Sequence, residues 1–407
     1  MLKSKEITHF LDSYKNFLIR HKKTITVYLI LSAVIVPFSW QQDIYDWYYF
    51  MGKFILEGKN VYSPINTYAI IKRGDTGRWG YPPLFLPIFS FSYLISAFAS
   101  FPFHVCLKII VIFISLIVAK KIEEFAGNPS AVELFLFNPL IFTSTVIQGF
   151  LDVLIIYFIL LALENIEKQS SAVYLAFSFL SKQTAWPLMP FFLAIRCNIN
   201  WFLIFTVVVM AGLAPFLFIS FNDTIYSIAL QHQTRVGIAP FSYLLSLFNI
   251  KFSGILLYAH YTVIAIQVAL TVILSIYIRK RLRREMYDRI KVLKYFLLFE
   301  IISMSYLYLL VPPTPHFVTY LIVPIIILMY AYPQFKYLYA ALSVITYISY
   351  TLDQGLRHNI FHYKVWEPLI YLGYRQLAGI IWPTFSLLSI VMYLIFFYVF
   401  RRGTKHE

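Results

Sequence analysis

The sequence predicts an all-α polytopic membrane protein, formed by a single domain of residues 1–407 with about 12 transmembrane helices. Hydrophobic residues make up 60% of the chain and charged residues only 13%, about half the charged share of an ordinary soluble domain. Apolar segments recur along nearly the whole length. Aromatic residues reach 19%, which suits side chains that face lipid or lie at the membrane surface.

The net charge of +15 does not indicate a nucleic-acid-binding protein. The basic residues form short clusters between apolar segments, where the signals that orient membrane helices are found. The two cysteines, Cys106 and Cys197, fit no metal-binding or disulfide pattern, and we expect them to be small buried hydrophobic residues.

The apolar segments define the predicted membrane spans, although several are short and their ends are approximate. They are residues 24–40, 103–119, 130–147, 151–165, 171–182, 186–197, 201–219, 256–278, 293–311, 317–332, 336–351 and 381–400. One further segment, 81–99, is apolar enough to cross but contains three prolines, Pro82, Pro83 and Pro87.

The positive-inside rule decides how segment 81–99 is interpreted. The Lys-rich N-terminus is expected in the cytoplasm, and the basic clusters at 120–121, 279–294 and 401–402 join it there only if 81–99 does not cross. We therefore predict one first extracytoplasmic loop, 41–102, with two membrane-surface helices near 46–57 and 81–99. A second long outer loop is predicted at 352–380, with both termini cytoplasmic.

Two carboxylates follow the first predicted span. Asp43 and Asp46 are three residues apart, so on a helix they would face the same way. They either solvate the end of the helix, or they act chemically as a general base with its partner or as metal ligands.

Further polar residues lie at the outer ends of later segments. Lys182 stands in an otherwise apolar hairpin, where a lysine costs about 2.5–3.5 kcal/mol at the membrane centre unless it reaches the surface or a partner. On the predicted topology it shares the outer side with Asp43, Asp46, Asp152, His232, Arg235 and His316. Lys and Arg beside carboxylates would suit transfer from a lipid-linked phosphate, whereas the histidines can equally be structural.

At these positions the chain resembles the GT-C superfamily of polyprenyl-phosphate-sugar-dependent glycosyltransferases, and within it the multi-pass mannosyltransferases of family 87 and of the PIG-M-like kind. The resemblance covers about residues 25–240. It rests on Asp43 and Asp46, Gly58-Lys-Asn-Val-Tyr62, Tyr81-Pro-Pro-Leu84, Asn138-Pro139, Gln148-Gly-Phe-Leu-Asp152, Lys182 followed by Pro187 and Pro190, and Arg235.

The resemblance implies a GT-C-like bundle and an inverting glycosyltransferase at the extracytoplasmic face. Its donor would be a sugar, expected to be mannose, on a polyprenyl or dolichyl monophosphate, and its acceptor a hydroxyl of a glycolipid or glycan. The expected roles are base for Asp43, with Asp46 the second candidate; donor-phosphate binding for Lys182, Arg235, His232 and His316; and sugar or acceptor binding for Asp152, Gln148 and Tyr81.

The chain departs from the family pattern in having no adjacent acidic pair and no D-x-D in the first loop, and we expect a reaction without a metal or other cofactor. Two alternatives from other classes remain at this stage. One is a multi-pass transporter or lipid flippase, which would place charged residues near the membrane midplane in paired halves. The other is a non-catalytic subunit of a membrane glycosylation complex.

Overall fold

The structure is a computed structural model that describes residues 4–39, 47–63, 79–196, 198–230, 253–282, 288–309 and 318–344. These residues are helical almost throughout, and no strand occurs among them. The predicted all-α class is therefore confirmed for the described part of the chain.

Sixteen helices, labelled α1 to α16, follow one another along the described residues. They are α1 Ser4–Arg20, α2 Lys22–Ile35, α3 Tyr49–Leu56, α4 Leu86–Ala99, α5 Phe103–Ala126, α6 Ser130–Leu136, α7 Pro139–Phe142, α8 Asp152–Glu164, α9 Ser170–Ser181, α10 Met189–Arg196, α11 Ile199–Ile219, α12 Phe221–Ile225, α13 Ser253–Leu282, α14 Arg289–Leu309, α15 Val318–Ala331 and α16, residues 335–344. Short 3-10 or π-helical turns at Val36–Phe38, Pro83–Phe85, Thr143–Ile147, Gln183–Leu188 and Tyr226–Leu230 join several of them.

Every predicted span except the last, 381–400, coincides over its described residues with one or two of these helices and their adjoining turns. Residues 345–351 of the span 336–351 lie outside the described residues. Among the described residues, α11 alone is long and apolar enough to cross a membrane by itself. The count rises to three if each of two bent helix pairs is one crossing. The number of crossings stays a prediction, and 381–400 and the loop 352–380 lie outside the described residues.

The two helices predicted for the first outer loop are present as α3 and α4. The prolines that made segment 81–99 ambiguous explain how α4 begins. Pro82 is extended, Pro83 opens a 3-10 turn, and Pro87 lies in the first turn of α4, where its missing N–H leaves no hydrogen bond unmade. Gly52 of α3 packs on the backbone of α4, and a Cβ there would lie 2.5 Å from the carbonyl oxygen of Phe89.

Helix α1 is not among the predicted elements, since the Lys-rich N-terminus indicates only a cytoplasmic segment. The chain bends by 84° between Leu11–Arg20 and Lys22–Phe38. A carboxylate of α5 holds the bend: Glu123 Oε1 lies 2.7 Å from Arg20 Nη1 and 3.1 Å from His21 Nε2.

Charged residues collect at this end of the bundle. Lys121 of α5 lies 3.1 Å from Glu164, the last residue of α8, and Arg289 at the start of α14 approaches the same carboxylate at 3.9 Å. Asp152 begins α8, so it lies about 18 Å away along the helix axis. Basic residues predicted on one side of the membrane therefore meet at one end of the helical bundle. Asp152 lies towards the opposite end of the bundle.

We predict that Gly52→Ala lowers the thermal unfolding midpoint of the purified protein. The added methyl group meets backbone atoms of α4, which cannot rotate away, and overpacking of this kind costs about 1–3 kcal/mol.

The matched control is Gly212→Ala in α11, whose Cβ would meet only the flexible Leu180 side chain, at 2.6 Å. Equal midpoints for the two variants would contradict the close backbone contact between α3 and α4.

Candidate active site

A cleft of about 430 Å³, including the part open to solvent, lies where the segments around Tyr48 and at 79–89 meet the start of α8 and the end of α9. Most of its wall is aromatic, and its charged members are one carboxylate and one lysine. The lining residues are Tyr48, Trp79, Tyr81, Phe85, Phe89, Phe150, Leu151, Asp152 and Lys182. Apolar walls with a few convergent polar groups are typical of small-molecule sites.

The charged pair of the cleft is a buried salt bridge. Lys182 Nζ donates to Asp152 Oδ1 at 2.9 Å, with both side chains almost fully buried. The hydroxyl of Tyr320, from α15, donates to the same oxygen at 2.7 Å, and Thr184 Oγ1 donates to the Tyr320 hydroxyl at 3.2 Å. This Asp152 cluster (Asp152, Lys182, Tyr320 and Thr184) supplies hydrogen bonds that buried charges need in order to be tolerated.

Local structure explains why both charges point to one place. Lys182 follows the last residue of α9 and adopts extended angles, φ −162° and ψ 145°, before a 3-10 turn that contains Pro187. Asp152 is the first residue of α8, where the helix dipole favours a carboxylate. Gly149 supplies the turn before it with φ +69°, a left-handed conformation that favours glycine.

The Tyr81 ring makes a cation–π contact with the lysine: the Lys182 ammonium lies 5.5 Å from the centre of the ring. The segment around Tyr81 is held by residues 58–62, which the resemblance had singled out. Tyr62 donates its hydroxyl to the Tyr81 carbonyl at 2.9 Å, and the backbone N–H of Trp79 donates to the Val61 carbonyl at 3.1 Å. Burial raises the pKa of the Tyr62 phenol well above its usual value, so this donor stays protonated.

Gln183, beside Lys182, joins three chain segments. Its amide Nε2 donates to the Gly80 carbonyl at 2.5 Å and to the Ile228 carbonyl at 2.9 Å. The hydroxyl of Ser227 also donates to the Tyr62 carbonyl, at 3.3 Å. The turn at Tyr226–Leu230 is therefore attached to the cleft wall.

The motif Asn138-Pro139 has a structural role. Asn138 Oδ1 accepts from the backbone N–H groups of Leu140 and Ile141, at 3.0 and 3.2 Å, and so caps α7. Its Nδ2 donates to Tyr339 at 3.2 Å and Ser343 at 2.8 Å, both in α16. The motif therefore secures helix packing and does not face the cleft.

Of the predicted site residues, the structure brings Tyr81, Asp152 and Lys182 together. Gln148 is fully buried four residues before Asp152, and neither heteroatom of its amide has a hydrogen-bond partner among the described residues. Asp43, Asp46, His232, Arg235 and His316 lie outside the described residues. No cluster of three or more His, Cys, Asp or Glu side chains suited to a metal occurs in the described ranges.

Sequence reasoning missed Trp79, Gln183, Thr184 and Tyr320. Gln183 and Thr184 were detectable in principle, since they follow Lys182 directly in an apolar hairpin. Tyr320 carried no signal, because a tyrosine at a helix start is ordinary and nothing in the chain connects it with Asp152, 168 residues earlier.

The Asp152 cluster, an aromatic cleft and a helical bundle with an apolar helix define a membrane protein with a polar site at one end. The family model described as Glycosyltransferase family 87 matches residues 79–304, which contain most of the cleft. The chain belongs to glycosyltransferase family 87, a family of the GT-C type, and is a membrane-bound glycosyltransferase. No curated protein and no solved structure matches it.

We predict that Tyr320→Phe lowers kcat/KM for sugar transfer by about 10- to 100-fold. The change removes a hydrogen bond to a charged group, which contributes about 1.5–3 kcal/mol, and frees the Asp152 carboxylate to rotate. The change in kcat/KM is measured by steady-state kinetics of sugar transfer by the purified protein.

Tyr339→Phe is the control, since it removes a comparable hydroxyl that donates to the Leu134 carbonyl at 2.8 Å, away from the cleft. The same loss in both variants would show that Tyr320 acts only on stability.

Proposed function

We propose that this protein is an inverting glycosyltransferase that uses a sugar carried on a polyprenyl or dolichyl monophosphate. The sugar is expected to be mannose, and the acceptor a hydroxyl of a glycolipid or glycan at the extracytoplasmic face. Membership of family 87 establishes the transferase class, while the donor, the sugar and the membrane face are parts of this proposal.

One observation carries the proposal: every predicted catalytic or phosphate-binding residue outside the described ranges is a close sequence neighbour of a residue that lines the cleft or is hydrogen-bonded to Gln183 or Asp152. Tyr48, in the cleft wall, follows Asp46 by two residues and Asp43 by five. Ile228, held by Gln183, precedes His232 by four and Arg235 by seven. Tyr320 follows His316 by four.

The reaction requires a general base and a departing phosphate. In the proposed step the acceptor oxygen bonds to the anomeric carbon from the face opposite the phosphate. The bond between that carbon and the phosphate oxygen breaks, and its electron pair leaves with the lipid phosphate. The acceptor proton passes to Asp43, or to Asp46 if that carboxylate is the base.

Lys182 is proposed to contact the donor phosphate from a fixed position. Three features hold its ammonium: the Asp152 carboxylate, the Tyr320 hydroxyl on that carboxylate, and the Tyr81 ring. Preorganised cations of this kind stabilise charge as it develops on a leaving group. Because Asp152 offsets the charge of Lys182, we assign the remaining phosphate charge to Arg235, with His232 and His316 as further candidates, and propose no metal.

The depth of the cleft favours a lipid-linked substrate. The two helices that lead to the Asp152 cluster, α8 and α9, have 13 and 12 residues. Helices of that length measure about 20 Å, less than the hydrocarbon core of about 30 Å. If their charged ends mark the cytoplasmic surface, the cluster lies below the outer surface, where a donor on a membrane-embedded lipid reaches it.

We expect purified protein in liposomes to transfer labelled sugar from a polyprenyl monophosphate donor, and Asp43→Asn to abolish this transfer. Loss of the general base is expected to lower the rate of sugar transfer by about 100- to 10,000-fold. If Asp46 is the base, Asp46→Asn shows the loss instead.

Glu57→Gln is the matched control, because Glu57 is a carboxylate of the same loop that pairs with Lys59 at 2.6 Å on the surface. Full activity in both Asp43→Asn and Asp46→Asn would refute the first-loop mechanism. Loss of activity with a chelator, restored by a divalent ion, would refute the metal-free proposal.

The proposed orientation predicts which cysteines an impermeant thiol reagent reaches in intact cells. In a background without Cys106 and Cys197, Lys59→Cys in the first outer loop should be labelled directly. Lys168→Cys, in the loop that joins α8 to α9 at the charged end, should be labelled only after permeabilisation. Both side chains are exposed, so the reverse pattern would place the cleft on the cytoplasmic side.

A further inference from the structure

The wall of the cleft contains a buried hydrogen-bond donor that has no acceptor in the described part of the chain. Trp79 is 2% exposed, and its indole Nε1 has no hydrogen-bond partner among the described residues. A buried donor left unpaired costs about 1–3 kcal/mol. Buried tryptophan N–H groups are usually paired, as Trp201 is here, donating to Ser171 Oγ at 2.7 Å. The Trp79 N–H is thus suited to a polar ligand atom.

The rings around Trp79 are fixed at defined angles. Tyr48 stacks on Phe89 with ring centres 4.5 Å apart and planes 9° from parallel. Trp79 meets both edge-on, at 6.1 Å to Tyr48 and 5.6 Å to Phe89, and also meets Tyr81 edge-on at 5.1 Å. Four interlocked rings form a rigid surface, so a ligand that packs on it finds the surface already ordered.

The charged groups beside this aromatic surface are the Asp152 carboxylate and the Lys182 ammonium. Asp152 accepts and Lys182 donates, and their opposite charges offset one another. A ligand made of an apolar ring face with hydroxyl groups at its edge would satisfy aromatic rings, carboxylate, ammonium and indole N–H together. A polyprenyl chain would leave the Trp79 N–H unpaired.

We propose that the Trp79 side of the cleft is a pyranose subsite, in which the Trp79 indole N–H donates to one sugar hydroxyl while the pyranose ring packs on the half-buried Tyr48 and Tyr81. Aromatic walls with a few convergent polar groups suit a monosaccharide better than a polyprenyl chain. This inference rests on the proposed function and deepens it, since it assigns the aromatic wall to the sugar and leaves the lipid outside. The pyranose comes either from the donor or from the acceptor.

The test compares Trp79→Phe with wild type in equilibrium binding to the full-length protein in nanodiscs. The probes are polyprenyl-phosphate-linked mannose, glucose and galactose, the methyl glycosides of the same sugars, and sugar-free polyprenyl monophosphate. Phe keeps an aromatic ring and removes the N–H. We expect about threefold to tenfold weaker binding of pyranose-bearing probes, the value of one hydrogen bond, and unchanged binding of the sugar-free lipid.

The control is Trp201→Phe, which removes an indole N–H outside the cleft and should change binding of no probe. A loss confined to the lipid-linked sugars identifies the donor sugar, and a loss confined to the methyl glycosides identifies the acceptor sugar; both support the subsite. Equal weakening of the sugar-free lipid, no weakening of any probe, or a wild type that binds no pyranose overturns it.

Failure of the proposed function is seen separately. Wild-type protein that binds a lipid-linked sugar in the manner expected, yet transfers it to no acceptor, would contradict the transferase mechanism and leave the subsite standing.

Discussion

The site is organised by one buried ion pair, Lys182 with Asp152. A lysine in an apolar hairpin is costly until it meets a carboxylate, and a buried carboxylate is equally costly until its oxygens are hydrogen-bonded. This mutual requirement joins the end of α9 to the start of α8 and recruits Tyr320 from α15. Breaking such a pair by removing one partner costs about 3–5 kcal/mol, because the other charge stays buried and unpaired. The pair therefore constrains how three distant segments pack.

Around that pair, the segments that resembled a glycosyltransferase pattern divide into two kinds. Asp152, Lys182 and Tyr81 face the cleft, whereas Asn138-Pro139 caps a helix and residues 58–62 hold the segment of Trp79 and Tyr81 by hydrogen bonds. Gln183 then joins that segment, through the Gly80 carbonyl, to Ile228. The motifs on which the family resemblance rests therefore have two roles. Some supply side chains to the cleft, and others hold the backbone around it.

The distribution of charge relates the site to the membrane. Arg20, Lys121 and Arg289 meet Glu123 or Glu164 at one end of the bundle, and the aromatic cleft lies towards the other. The aromatic walls and paired charges of the site suit a substrate with a polar reactive group. Because α8 and α9 are short, the site also suits a substrate whose anchor stays in the lipid. In the proposed reaction the Asp152 cluster holds the lysine in a fixed position, so little reorganisation is needed as charge develops on the leaving phosphate.

The sequence by itself determined the all-α membrane class, the positions of most described helices, including α3 and α4, and the family resemblance. These follow from local information: apolar runs, prolines at helix starts, and short motifs. It also marked Lys182 and Asp152 as unusual, because a charge in an apolar segment needs an explanation. Only the tertiary structure decided that they pair with each other and that Tyr320 completes the cluster from outside the matched family region. It also decided that the Trp79 indole N–H in the cleft wall has no acceptor among the residues described, and that α1 turns sharply away from α2. Some of these contacts join residues as much as 168 positions apart. They depend on how the helices pack, so no local sequence pattern predicts them.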